Sequence, residues 1–133
     1  MTTALFAFIF SLIGFVAIDA VWLKVMARRT YAAEIGGLLR ERPRLGPAVV
    51  FYLIFAAGLA FFAVFPGISS GSPMTAAASG AAMGLVAYST FNLTNLAIMR
   101  GYSTKIAAVD TAWGVTASAL TAGLVAWAGR GLF

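Results

Sequence analysis

Apolar residues run along this chain in four long blocks rather than in the short periodic stripes of a soluble fold. The blocks cover about residues 3–27, 47–65, 73–99 and 104–129. Each holds about 19 residues or more, enough to cross roughly 30 Å of hydrocarbon at about 1.5 Å per residue. A backbone in lipid must satisfy its own hydrogen bonds, so the blocks predict helices rather than strands. The expected fold class is all-α: a polytopic transmembrane bundle of four helices, forming a single membrane domain over residues 1–133.

Punctuation fits the blocks. Pro47, Pro66 and Pro73 fall at their ends, where a missing N–H does little harm. Ser72 is a suitable N-cap for the third helix, and Ser103 or Thr104 for the fourth. Gly101 stands where a left-handed residue would stop the third. In that helix Ala76, Gly80 and Gly84 recur at four-residue spacing, which lets a neighbouring helix approach closely. The first connection, residues 28–46, is the longest, and its Tyr31, Ile35, Leu38 and Leu39 suit a short amphipathic turn at the interface, weakened by Gly36-Gly37.

Composition narrows the class. Hydrophobic residues make up 62% of the chain and charged ones only 10%, against about 25% charged in a soluble domain. The net charge of +5 does not imply nucleic acid, because no folded basic face exists to bind it. Instead Lys24, Arg28, Arg29, Arg40, Arg42, Arg44, Arg100 and Lys105 gather at the first and third connections, with only Arg130 elsewhere. That bias places connections 28–46 and 100–104 in the cytoplasm and both termini on the non-cytoplasmic side. The N-terminus lacks the basic segment of a cleavable signal, so the first block is read as a retained span. With no Cys and no His, disulfides, the usual zinc sites, thiol nucleophiles and a Ser-His-Asp arrangement are excluded. No metal site and no cofactor is indicated.

The polar residues inside the blocks are the candidate chemistry. Asp19 and Asn92 each lie roughly 12 Å from the cytoplasmic ends of their helices, and Tyr52 and Asp110 roughly 8 Å. One layer therefore collects side chains from all four helices. Tyr88, Asn92 and Asn95 follow i, i+4, i+7 and share a face. Asp19 with Trp22, and Asp110 with Trp113, are i, i+3 pairs on helices of opposite direction, so Trp22 lies shallower than its Asp and Trp113 deeper. Acids in lipid are expensive and mark function by default. Asp19 and Asp110 could relay protons, bind a hard cation with Asn oxygens, or accept hydrogen bonds from a ligand. Lys24, Arg100 and Lys105 stand at the rim, within reach of them. The alternative is that Asp, Asn, Tyr and Trp simply bond one another and fix the bundle.

Asp19-x-x-Trp22-Leu23, Tyr31, Phe51-Tyr52, Tyr88, Asn92-Leu-Thr-Asn95 and Val109-Asp110-x-x-Trp113-Gly114 resemble the pattern of a bacterial family of small four-helix membrane proteins, catalogued as a domain of unknown function. The resemblance covers nearly the whole chain. It implies a four-helix fold and an inner-membrane location but supplies no activity, and Asn92 replaces an Asp frequent in the family. Three functions are compatible. The layer Asp19, Trp22, Tyr52, Tyr88, Asn92, Asn95, Asp110 and Trp113 binds a lipid-like or small polar ligand; or the protein is an accessory subunit of a larger membrane complex or a homo-oligomer; or Asp19 and Asp110 act as acid and base of an enzyme. The third ranks last, for want of His and Cys. The lipid bilayer is the one partner all three share.

Overall fold

Helix starts follow the capping residues. Thr2 accepts the Leu5 amide through its hydroxyl at 3.2 Å, Ser72 accepts Thr75 at 3.1 Å and Ser103 accepts Ile106 at 3.2 Å. Gly71 and Gly101 take positive φ, 67° and 79°, in the two tight turns that follow helices. The computed structural model describes residues 1–133 as four helices: α1 Thr3–Leu38, α2 Leu45–Ser69, α3 Pro73–Ile98 and α4 Thr104–Gly129. It contains no strand.

Three of these, α1, α2 and α4, are long and apolar enough to cross a membrane. The 26-residue α3 has the length, but its apolar content is diluted by Gly, Ala, Ser, Thr and Asn, which serve packing and the polar layer. Large apolar side chains point outward all round: Phe61 is 73% exposed and Ile54 68%. Such a surface suits lipid rather than water.

The structure departs from the sequence reading at two helices. The helical path of α1 continues past residue 27 to Leu38, through a π turn at Ala27–Tyr31. The extra residue in that turn keeps the hydrogen-bond ladder going, with the Ala32 amide reaching back to the Ala27 carbonyl. In α2 the helix runs on to Ser69, so Pro66 and Gly67 lie inside it and not at its end. A second π turn, Ala60–Val64, ends two residues before Pro66, which thus stands in the first turn of the segment that follows.

The helices pack in a ring, α1 against α2 and α4, α3 against α4. The closest pair is α3 and α4. A Cβ at Gly84 would stand 2.4 Å from the Gly114 carbonyl oxygen, so only glycine permits this approach. Ala76, Gly80 and Gly84 are all buried along the seam. Phe15, Phe55, Leu59 and Val64 fill the centre. Beside them the hydroxyls of Ser11, Ser118 and Thr121 are buried without a hydrogen-bond partner.

One detail of α2 positions the site. Its second part, from Ala60 onward, packs on α3 as well as on α1 and α4, whereas Leu45–Leu59 packs chiefly on α1. The π turn marks the change. Toward the arginine-rich end the backbones of α2 and α3 therefore separate, leaving a gap that opens on the lipid-facing surface.

Candidate functional site

The antiparallel run of α1 and α4 decides how the two Asp-x-x-Trp pairs meet. Asp19 lies level with Trp113, and Trp22 lies toward Asp110. Trp113 donates its indole N–H to Asp19 Oδ1 at 2.9 Å. Trp22 donates to the Tyr31 hydroxyl at 3.1 Å, and Tyr31 in turn donates to Asp110 Oδ1. The two indoles stack with centroids 4.3 Å apart and planes 2° from parallel. Each acid is thus served by an indole from the opposite helix, directly or through one phenol.

The remaining oxygens are also engaged. Tyr52 on α2 donates to Asp19 Oδ2. Asn92 on α3 donates to Asp110 Oδ2 at 2.7 Å and to its own helix at the Tyr88 carbonyl, 2.9 Å away. Its Oδ1 accepts from Tyr102 at 2.6 Å. Burial pushes the Tyr102 phenol pKa up, which keeps it a donor. Both oxygens of Asp19 and both of Asp110 accept hydrogen bonds.

No cation balances them. The one ion pair in the structure joins Lys105 to Glu34 at 3.7 Å, and Ser103 donates to the same Glu34 at 2.7 Å. Lys105 therefore clamps the arm Ala32–Leu38 onto the start of α4 rather than pairing with either Asp. No group of three or more His, Cys, Asp or Glu converges anywhere.

A cavity of about 400 Å³ occupies the gap between α2 and α3 and reaches both acids. Its walls are Asp19, Trp22 and Leu23 of α1, Ala48, Phe51 and Tyr52 of α2, Ala87, Tyr88 and Phe91 of α3, and Asp110. Leu23, Phe51 and Phe91 are exposed at the rim. The Tyr88 ring is seated against Gly114, where a Cβ would come within 2.1 Å of it. Its hydroxyl takes no partner in the protein and lies in the field of both acids. Below, Phe15 and Phe55 form an aromatic floor, with Phe55 edge-on to Tyr88 at 5.9 Å.

Seven of the eight residues singled out in the sequence lie in this network or on the cavity wall: Asp19, Trp22, Tyr52, Tyr88, Asn92, Asp110 and Trp113. Asn95 lies one turn further along and lines a second cavity of about 430 Å³ with Tyr31, Tyr102 and Asp110, beneath the arm. Sequence reasoning placed neither Tyr31 nor Tyr102 in the site. Tyr31 falls beyond the expected end of the first helix, and only the π turn returns it to the bundle.

No curated protein and no solved structure matches this chain. The all-helical fold with four helices is nevertheless the one that the apolar blocks predict. Residues 4–127 match the model of the family described as predicted membrane protein (DUF2177), and the chain belongs to that family.

Proposed function

We propose that the polar layer is a binding site, holding the polar end of a lipid-like or small polar ligand while the ligand's apolar part remains in the membrane. The observation that carries this reading is the lateral gap between α2 and α3. Polar groups fill its inner end, Asp19, Asp110 and the unpartnered Tyr88 hydroxyl, and exposed apolar side chains rim its mouth. A purely structural network would have no need of a space beside it. In this reading the arginine-rich end faces the cytoplasm of a bacterium, by the charge bias of short loops, and the site lies in that leaflet of the inner membrane.

A second reading, as an accessory subunit or homo-oligomer, draws on the other face. There α3 and α4 form a shallow groove of about 630 Å³ lined by small side chains such as Ala108, Ala112 and Thr116. Catalysis by Asp19 and Asp110 stands last, since the chain has no His or Cys to share acid–base or nucleophilic work with them.

Native mass spectrometry of the protein extracted in mild detergent tests the choice. A retained lipid or small molecule supports the binding site, and a reproducible larger partner supports the subunit. A stable, ligand-free monomer refutes both. Orientation has its own test, since the chain contains no Cys. Arg42→Cys introduces a single thiol, and labelling it from outside intact cells overturns the cytoplasmic placement.

A further inference from the structure

The walls of the α2–α3 cavity combine two features that are individually common and jointly selective. The first is charge. Asp19 and Asp110 both border it, each with both oxygens accepting hydrogen bonds, and no Lys or Arg lines it. The protein's single ion pair lies elsewhere, between Lys105 and Glu34. Two acids facing one space of low dielectric repel each other and strongly favour any cation that enters. The second feature is aromatic surface. Trp22, Phe51, Tyr52, Tyr88 and Phe91 make up half of the lining. Ring faces attract cations, and a cage of rings with an acid is a common way to hold a substituted ammonium.

Resting on the reading of this cavity as a ligand site, we infer that its ligand is a cationic amphiphile: an ammonium group seated between Asp19 and Asp110, with an alkyl chain leaving past Leu23, Phe51 and Phe91. A metal ion does not suit the donor set. Two carboxylates with no third acid, in a cavity that Asn92 does not line and whose walls are largely aromatic carbon, fall short of the six to eight oxygens of a hard-cation site. An anionic headgroup is opposed by both acids. A neutral alcohol would gain hydrogen bonds but leave the charge uncompensated. The exposed rim means that the ligand arrives from the bilayer rather than from water, which calls for the chain. The ammonium can belong to a free alkylamine or to a lipid headgroup.

The test uses the full chain in uncharged dodecyl maltoside micelles, with Trp127→Phe as background so that only Trp22 and Trp113 report. Dodecyltrimethylammonium, dodecanol and dodecyl sulfate are titrated, and indole fluorescence is followed. The expected result is saturation by the ammonium at a concentration about tenfold or more below that of dodecanol, with no saturation by the sulfate. Asp19→Asn should weaken the ammonium about tenfold and dodecanol by about threefold or less. Should that variant fold poorly, Phe91→Leu at the exposed rim carries the same test, with a loss of about threefold for the ammonium alone. Equal midpoints for the ammonium and dodecanol would overturn the cationic class while leaving the ligand site standing. The absence of saturation with all three overturns the site itself. Phosphatidylcholine added to the micelles assigns the source: displacement of the probe indicates a lipid headgroup, its persistence a free alkylammonium, and either upholds the class.

Discussion

Replacing Asp110 by Asn exchanges a pure acceptor for one carbonyl and one amide, and the surrounding hydrogen bonds have no freedom to reverse. Two donors now point at Asp110, the Tyr31 hydroxyl and the Asn92 amide. Tyr31 already receives the Trp22 indole N–H at 3.1 Å, so turning its own hydrogen away leaves that hydrogen unpaired. Asn92 is equally fixed, with its amide between Asp110 and the Tyr88 carbonyl and its oxygen taken by Tyr102. Asp110→Asn therefore strands one donor in a site where Asn92 is 0% exposed. A stranded buried donor costs about 1–3 kcal/mol in soluble proteins, whereas interhelical hydrogen bonds in membranes average about 0.6 and reach about 1.7. Asn92 is fully buried while Tyr31 and Asp110 are half-buried, so the expected loss is about 1 kcal/mol. The double variant Asn92→Asp/Asp110→Asn restores the direction of every bond between the two positions. The new amide donates across, the new carboxylate still accepts from Tyr102, and Tyr31 still finds an acceptor. The contact with the Tyr88 carbonyl turns from a hydrogen bond into an acceptor–acceptor pair, so about half of the loss should return. Equilibrium unfolding by dodecyl sulfate in mixed micelles, followed by far-UV circular dichroism, measures both. A double variant no more stable than Asp110→Asn would refute the reasoning from bond direction.

Three further outcomes are expected. Gly114→Ala drives a methyl to within 2.1 Å of the Tyr88 ring and should cost about 1–3 kcal/mol, whereas Gly123→Ala, whose methyl would stand 3.2 Å from the Ala77 side chain, should cost much less; equal losses in the same unfolding assay would contradict this. Glu34→Gln cuts the Lys105 clamp, but with Lys105 66% exposed the pair contributes less than about 1 kcal/mol. Amide exchange should therefore quicken over residues 27–38 while the global midpoint holds, and a shifted midpoint would count against a local clamp. Tyr102 has a folded-state pKa above its ordinary 10.0 because of burial, so its contribution is complete below about pH 10 and fades as pH rises through the folded value. Tyr102→Phe should flatten the alkaline fall in stability, and an unchanged slope would remove Tyr102 from the explanation.

The alternation of helix directions was readable from residue order alone. Counting residues from the loop charges set Asp19, Tyr52, Asn92 and Asp110 at one level, and opposed helix directions placed Trp22 and Trp113 on either side of it. What sequence order hides is any residue whose place depends on irregular backbone. Arg28, Arg29 and the Gly36-Gly37 pair look like the start of a loop, yet a π turn carries the helix through and brings Tyr31 to Asp110. Pro66 reads as a stop, but the π turn before it lets α2 continue, and with that bend comes the gap beside Tyr52 and Tyr88. Neither turn has a residue pattern that distinguishes it from an ordinary helix or loop. Charge bookkeeping failed in a similar way: Lys105 was near enough to Asp110 along the helix, and only the path of the arm gives it to Glu34.

The exchange of partners across α1 and α4 also orders how the molecule is made. Asp19 leaves the ribosome long before Tyr52, and longer still before Trp113, the two donors that complete its shell. The nascent first span must enter the bilayer carrying a bare acid, a burden of roughly 3 kcal/mol at mid-membrane. Its run of Leu, Ile, Val and Phe is what outweighs that burden. Asp110 has the opposite history, since Tyr31 and Asn92 are already in place when it arrives. Assembly therefore closes on its last helix: until α4 is threaded in, Asp19 lacks its indole donor and the Trp22–Trp113 stack cannot form.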